Sequence, residues 1–286
     1  MPWRCVFFCN GPIDMTGIPP TTAGESGSPV CAPKDWRVID FISDLHLQPS
    51  QTATFAAWQR YMTHTVADAL FILGDLFEVW VGDDITTCDD ADGAFAQQCQ
   101  QVLQSTAKRL PVYFIHGNRD FLLGEDYAKA SGMTLLPDPC VLDFDAQRWL
   151  LSHGDALCLG DLDYQLFRQQ VRSPAWRRSF LDKPLPERQA MARGLRAQSE
   201  SRKASGASYA DADTAMALQW LQAAQATTLI HGHTHQPADH ALSLAQGQRL
   251  RRLVLSDWDA NATPPRLEVL RLQTGAAPHR VAVAND

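Results

Sequence analysis

The 286-residue chain reads as an α/β fold, and three features carry that reading. Short β-type runs alternate with helical patterns, the runs are rich in β-branched or aromatic side chains, and each ends in small or polar residues. The runs are "RVIDFIS" (37–43), "ALFILG" (69–74), "VYFIHG" (112–117), "RWLLSHG" (148–154) and "TTLIHG" (227–232). Between them apolar residues recur at helical spacing: Phe55, Trp58 and Met62, then Phe95, Cys99, Val102 and Leu103, then Met216, Trp220, Leu221 and Ala224. Such alternation predicts a largely buried sheet flanked by helices.

The ends and one interior segment break the pattern. Residues 1–35 mix Gly, Pro, Thr and Ser without a sustained period and predict a disordered extension, with order beginning near Trp36. Met15 lies within it and offers a second possible start of the chain. Near the other end, "RLRRLVLSDW" (249–258) and "PRLEVLRLQTG" (265–275) are strand-like runs joined through Asp259, Asn261, Pro264 and Pro265, which predicts an antiparallel pair closing the core. Residues 273–286 are expected to be a loose tail. Residues 164–203 hold ten Lys and Arg against three Asp and Glu, so the remaining chain carries −14 of a total of −7. Pro174, Pro184 and Pro186 punctuate that segment into two or three helices, and it is read as a helical cap inserted at 161–203 between core segments 36–160 and 204–272.

Composition excludes several classes. A net charge of −7 argues against a generic nucleic-acid coat protein, so no nucleic-acid partner is expected. The richest apolar run, Val66 to Val81, is interrupted by Asp68, Asp75 and Glu78 and cannot form a membrane span. Arg4 precedes only a five-residue apolar stretch, too short for a secretory signal. Seven cysteines, without a Cys-x-x-Cys pair, argue against a disulfide scaffold or zinc knuckle and for a reducing cytosol.

Chemistry gathers where the strands end. Asp44-Leu45-His46 follows the first, Gly74-Asp75 the second, Gly117-Asn118-Arg119-Asp120 the third, His153-Gly154-Asp155 the fourth and His231-Gly232-His233-Thr234-His235 the fifth. Open α/β sheets bind ligands at the carboxyl ends of their strands, so these residues are predicted to converge. Asp44, His46, Asp75, Asn118, His153, His233 and His235 supply two carboxylates, one amide and four imidazoles, enough for two divalent metals sharing a carboxylate. Mixed N and O donors without thiolate suit Mn²⁺, Fe²⁺ or catalytic Zn²⁺. Two such metals favour in-line phosphoryl displacement, hence phosphoester or pyrophosphate hydrolysis. An isolated Asp-x-His or His-x-His is ordinarily structural; the ordered set of five is what carries the reading. His116 and His231 flank the set and are read as core or supporting residues, and His64, His240 and His279 as incidental.

The blocks "FISDLHL", "ILGDLFEVWVGDD", "YFIHGNRDFLLG", "SGMTLLPD", "LSHGDALC" and "IHGHTHQP" resemble the calcineurin-like metallophosphoesterase superfamily, and are similar to one family within it, the UDP-2,3-diacylglucosamine hydrolases of lipid A biosynthesis. The resemblance spans about residues 38–260. It implies a four-layer α/β/β/α sandwich with a helical cap, and two metals, usually Mn²⁺. Asp44, His46 and His235 would hold the first, Asp75 would bridge, and Asn118, His153 and His233 would hold the second. It implies water attack on the α-phosphorus of UDP-2,3-diacylglucosamine, releasing UMP and 2,3-diacylglucosamine 1-phosphate (lipid X). Asp75, Asn118, Arg119 and His153 would be catalytic, and Asn118, Arg119, Asp161, Ser199, Lys203 and His233 would meet substrate. The implied location is cytoplasmic, with peripheral association to the inner membrane.

Residue chemistry agrees at two points. Arg119 stands where many superfamily members carry His; a guanidinium is no general acid near neutral pH but suits a pyrophosphate through bidentate hydrogen bonds. A basic cap interleaved with Trp176 and Phe180 suits a substrate with a diphosphate and two acyl chains, and its cations suit anionic headgroups. Gln236 and "SDW" (256–258) depart from the family pattern outside the metal set. A phosphoprotein phosphatase or a nuclease would share all seven ligands, whereas a non-enzymatic scaffold would have no reason to keep them all.

Overall fold

The computed structural model describes residues 28–204, 210–243 and 249–284, and for residues 197–204 the backbone alone. In chain order the elements are β1 (Val30–Cys31), β2 (Val38–Ile42), α1 (Thr52–His64), β3 (Ala69–Leu73), α2 (Ala91–Ala107), β4 (Val112–Ile115), α3 (Glu125–Ser131), β5 (Met133–Leu136), β6 (Cys140–Phe144) and β7 (Gln147–Leu151). There follow α4 (Leu162–Val171), α5 (Pro174–Leu181), α6 (Leu185–Ala204), α7 (Thr214–Ala224), β8 (Thr228–His231), β9 (Ala238–Ser243), β10 (Arg249–Val254), β11 (Glu268–Gln273) and β12 (His279–Ala282).

The strands form two six-stranded sheets, ordered β12-β11-β2-β3-β4-β5 and β1-β6-β7-β8-β10-β9. Strands β2 to β5 are mutually parallel, as are β7, β8 and β10. Alternation within each strand assigns its faces. Ile39 and Phe41 of β2, Ala69, Phe71 and Leu73 of β3, and Ile115 of β4 meet Leu142, Trp149, Leu151, Ile230 and Leu253 of the second sheet. The intervening Ile42, Leu70, Ile72 and Phe114 pack against Trp58 and Met62 of α1, Cys99 and Leu103 of α2, and Tyr127 of α3. On the far side Val141, Leu150, Leu229 and Leu250 receive Met216, Ala217, Trp220 and Leu221 of α7. The layers are therefore α/β/β/α, the sandwich that the resemblance implied.

Three expectations are corrected. Order begins before Trp36, because Val30 and Cys31 pair in parallel with Leu142 and Asp143; residues 1–27, with Met15, Cys5 and Cys9, lie outside the described residues. The two C-terminal runs do not pair with each other as strands: β10 lies between β8 and β9, and β11 lies antiparallel to β2 in the other sheet. Both runs carry alternating leucines toward the space between the sheets, so each completes its own sheet, and a short bridge from Asp259 to Arg266 is what joins them. A buried ion pair adds specificity to the β11 position, with Arg271 donating to both oxygens of Asp40 at 2.7 and 2.9 Å while Tyr61 donates to one of them at 2.7 Å. Nor is the tail loose throughout, since β12 pairs with β11 and Arg280 is held by Glu268 and Asp239 at 2.7 and 2.9 Å. The strands β1, β5, β6 and β9 were not anticipated.

The basic segment forms the helices α4, α5 and α6. Asp161 and Ser173 cap the first two by accepting from the N–H groups of Tyr164 and Trp176, and Pro174 stands at the start of α5. Cysteines 31, 88, 99, 140 and 158 are free thiols.

Phe71 is fully buried between the sheets, its ring stacked on Phe41 at 5.3 Å and on Tyr113 at 4.6 Å. Phe71→Ala should cost about 3–5 kcal/mol. Urea denaturation of the two proteins measures this, and a loss below about 1 kcal/mol would contradict the packing of the two sheets described here.

Candidate metal centre

Every predicted block lies at the carboxyl end of its strand, and both sheets contribute. Asp44 and His46 follow β2, Asp75 follows β3, Asn118 follows β4, His153 follows β7, and His233 and His235 follow β8. The carboxylate, amide and ring atoms converge. His46 Nε2 lies 3.2 Å from His235 Nε2, which is 3.4 Å from Asp44 Oδ1. His153 Nε2 lies 3.0 Å from Asn118 Oδ1, and His233 Nδ1 lies 2.9 Å from the same oxygen. Asp75 turns Oδ2 to His46 at 4.0 Å and Oδ1 to His153 at 3.8 Å, so it faces both halves of the cluster. Two triads, Asp44 with His46 and His235, and Asp44 with Asp75 and His153, each place one ligand atom per residue within 4.8 Å of the others. Asp44 thus lies close to both halves as well, where the sequence suggested Asp75 alone as the shared carboxylate.

The local backbone is built for this. Among the described non-glycine residues, Asp44, His46, Asp75, His233 and His235 all have φ between 49° and 67°, in the left-handed region. Such conformations are unfavourable for side chains other than glycine, at about 1–3 kcal/mol where strained, and persist where the surroundings over-determine them. Here strands buried on both faces do so. Gly117 and Gly232 answer a second constraint, close approach: a Cβ on Gly117 would collide with the Asp75 carboxylate and main-chain nitrogen, and one on Gly232 with Asp44 and Ser43.

Hydrogen bonds orient the rings. His153 Nδ1 lies 2.9 Å from the Leu73 carbonyl, and donating to it leaves the Nε2 lone pair facing the cluster. A Glu78 carboxylate oxygen lies 2.8 Å from His46 Nδ1 and an Asp257 oxygen 3.7 Å from His235 Nδ1, each an acid at the ring nitrogen opposite Nε2. Asp120, fully buried, accepts from the main-chain N–H groups of Gly117 and Leu76 at 2.8 and 2.7 Å, tying the third block to the second. Burial and the neighbouring Asp75 push Asp120 up to about 7.

The cluster carries a negative field. Burial works against a charged His153, yet Asp75 and Asp44 outweigh it and hold the ring up at about 9. For His233 burial wins, with His153 beside it, and the ring falls to about 3. Glu78 is held down at about 2 against its burial by His46, Arg119 and Arg196. Converging lone pairs on Asp, Asn and His, in a field that favours positive charge, are the donor set of divalent cations with mixed N and O ligation. The residues fit metals.

Other sequence candidates fall in different places. Arg119 donates its main-chain N–H to Asp75 Oδ1 at 2.8 Å, and its guanidinium lies 3.6 Å from Glu78. Asp161 caps α4. Ser199 and Lys203 lie on α6, where side chains are outside the described residues. His116 bonds the Leu123 carbonyl at 2.7 Å, and His231 the Gly232 carbonyl at 2.9 Å. Burial pushes both rings down to about 4, which keeps them neutral. Sequence reasoning missed Glu78, Asp155 and Asp257. The fully buried Asp155 accepts from Tyr164 Oη at 2.6 Å, Arg168 Nε at 2.8 Å and Arg172 Nη2 at 3.2 Å. All three lie inside quoted sequence words, Glu78 in "ILGDLFEVWVGDD", Asp155 in "LSHGDALC" and Asp257 in "SDW", but nothing in their spacing separates them from helix caps or surface charges.

Comparison with known proteins accords with this geometry. The calcineurin-like phosphoesterase family matches residues 37–237. A UDP-2,3-diacylglucosamine hydrolase of Stenotrophomonas maltophilia (strain K279a) is 44% identical over an alignment of 245 residues, with 82% of this chain and 94% of the relative covered. Relatives of the same name from Aromatoleum aromaticum and Bordetella pertussis are 43% and 42% identical, with 78% of this chain and 89% and 87% of the relatives covered. The chain belongs to the calcineurin-like phosphoesterase family and, within it, to the family of the UDP-2,3-diacylglucosamine hydrolases.

Proposed function

We propose that the protein hydrolyses the pyrophosphate bond of UDP-2,3-diacylglucosamine by water attack at the α-phosphorus, giving UMP and 2,3-diacylglucosamine 1-phosphate, a step of lipid A biosynthesis. The convergence of seven donor side chains from five strand ends carries the reading, and the names of the relatives supply the substrate. Two divalent metals, Mn²⁺ by family resemblance, would be held by Asp44, His46 and His235 on one side and Asn118, His153 and His233 on the other, with Asp75 between them. Bound there, they would lower the pKa of a shared water and offset charge on the phosphoryl oxygens.

The chain's own residues orient and select. Glu78 and the Leu73 carbonyl fix which ring nitrogens face the centre. The planar guanidinium of Arg119 matches phosphate oxygens bidentately, so it serves as an anchor for them beside Asn118 and His233. No general acid is required at the departing oxygen, because a sugar phosphate leaves far more readily than a bare alkoxide. Asp161, Ser199 and Lys203 belong to the same reading as contacts for the glucosamine and diphosphate, and the helices α4 to α6 as the cap over the acyl chains.

The same cap supports cytoplasmic placement with peripheral attachment to the inner membrane. No helix among the described residues is long and apolar enough to cross a bilayer. Leu162 and Leu181, at the start of α4 and the end of α5, are 62% and 39% exposed, and Arg177 and Arg178 lie within one turn of Leu181 on α5. Apolar side chains beside cations suit an anionic lipid surface.

Purified protein with Mn²⁺ should release UMP from UDP-2,3-diacylglucosamine, and Asp75→Ala should lower the rate about a hundredfold or more, since shared-metal stabilisation is worth several kcal/mol. Absence of UMP release alongside cleavage of p-nitrophenyl phosphate or DNA would overturn the substrate assignment. Replacing Arg177 and Arg178 with Gln should weaken sedimentation with anionic liposomes by roughly thirtyfold, at about 1 kcal/mol per cation near the surface. Metal binding should be unaffected, and equal sedimentation of both proteins would count against the membrane role.

A further inference from the structure

Arg172 follows the last residue of α4, at the break before α5, and its guanidinium reaches the loops that carry Asn118 and His153. One nitrogen, Nη2, makes two hydrogen bonds, to the Gly117 carbonyl at 2.9 Å and to Asp155 Oδ2 at 3.2 Å. Gly117 immediately precedes Asn118, and Asp155 follows His153 by two residues. A terminal guanidinium nitrogen carries two hydrogens in a fixed plane, so satisfying both acceptors at once sets the direction from one loop to the other. A second contact reinforces the first: the guanidinium carbon lies 5.8 Å from the centre of the Phe121 ring, three residues beyond Asn118. The two loops come from different sheets, one after β4 and one after β7, and no strand pairing links β4 to β7.

We propose that Arg172 is a positioning residue that sets the separation of the Asn118 and His153 loops, and so tunes the affinity of the metal position those residues share. Arg168 provides the contrast. It also donates to Asp155, at 2.8 Å, and approaches Asp138 at 3.9 Å, yet it is not among the hydrogen-bond donors to the Asn118 loop. Arg168 anchors the helix; Arg172 reaches both loops through one group, beside the direct contact of His153 with Asn118. The proposal rests on the metal reading above.

The test is titration of metal-free protein with Mn²⁺, followed by electron paramagnetic resonance and calorimetry, with thermal melting in parallel. Wild type should show two sites. Arg172→Met should weaken one of them about tenfold or more, the usual loss when a group supporting a ligand is removed. Arg172→Lys should recover part of that loss, and Arg168→Met should lower the melting temperature while leaving both Mn²⁺ affinities near wild type. Unchanged Mn²⁺ binding in Arg172→Met, with a lowered melting temperature alone, would overturn the positioning role, as would equal weakening of the metal site in Arg168→Met. Failure of wild type to bind Mn²⁺ would overturn the metal reading itself, and this proposal with it.

Discussion

Two carboxylates, Asp44 and Asp75, are 0% and 2% exposed and stand beside four imidazoles. An ionised carboxylate removed from water costs far more than a domain's net stability unless it is matched by positive charge or hydrogen bonds. Much of the remaining structure follows from accommodating that pair. Main-chain N–H groups of Arg119 and His233 reach Asp75 and Asp44 at 2.8 and 2.9 Å, which is possible only because Gly117 and Gly232 carry no Cβ. The left-handed backbone at Asp44 and Asp75 turns each side chain across the strand end instead of along it. Locally unfavourable choices of this kind need rigid support, and the fully buried Phe41, Ile72 and Leu73 just upstream supply it.

That support has a particular form because the donors come from two sheets. Asp44, Asp75 and Asn118 hang from one sheet, while His153, His233 and His235 hang from the other. Each half of the centre draws on both sheets, Asp44 and His46 with His235 on one side and Asn118 with His153 and His233 on the other, so the spacing of donors within each half follows the distance between the sheets, transmitted by a layer of Phe41, Phe71, Trp149, Ile230 and Leu253 packed at interior density. A cavity in that layer would be felt at the centre without touching a ligand. A hydrogen bond across the gap gives further control: His153, after β7 of the second sheet, reaches the Leu73 carbonyl of the first at 2.9 Å.

The legible parts of this design are the local ones. A strand buried on both faces is an unbroken apolar run, and a strand end with glycine and a metal-type side chain is a short word, so the five main strands and the seven side chains that converge at their ends could be read without coordinates. What pairs with what was less legible. The leucines of "RLRRLVL" and "RLEVLRL" specify a buried face but not a partner, and the partner of β11 is chosen by Asp40, more than two hundred residues earlier in the chain. The two-residue edge strand β1 lacks a long enough period to register. The supporting carboxylates were hidden for a different reason. Glu78 and Asp155 act through residues remote in sequence, Glu78 on Arg196 of α6 at 3.5 Å and Asp155 on Arg168 and Arg172 of α4, and spacing along one chain does not encode such meetings.

Those meetings also change the meaning of the basic segment. As a sequence, residues 164–203 are a cationic block set against an acidic body, and the simplest use for such a block is a solvated surface. Several of its arginines instead point inward. Arg188 is 2% exposed and pairs with Asp84 while donating to the Val81 carbonyl; Arg168 and Arg172 share the buried Asp155; Arg196 reaches Glu78 and Gln48. Buried ion pairs add little net stability once desolvation is counted, but leaving one partner unmatched is expensive, so they act chiefly on position. The helices α4 to α6 are thus fixed relative to the centre by charges answered one by one, and Arg178, which remains exposed, is among the cations left for contact with something outside the chain. The surplus positive charge divides accordingly, part locating the helices over the strand ends and part facing outward.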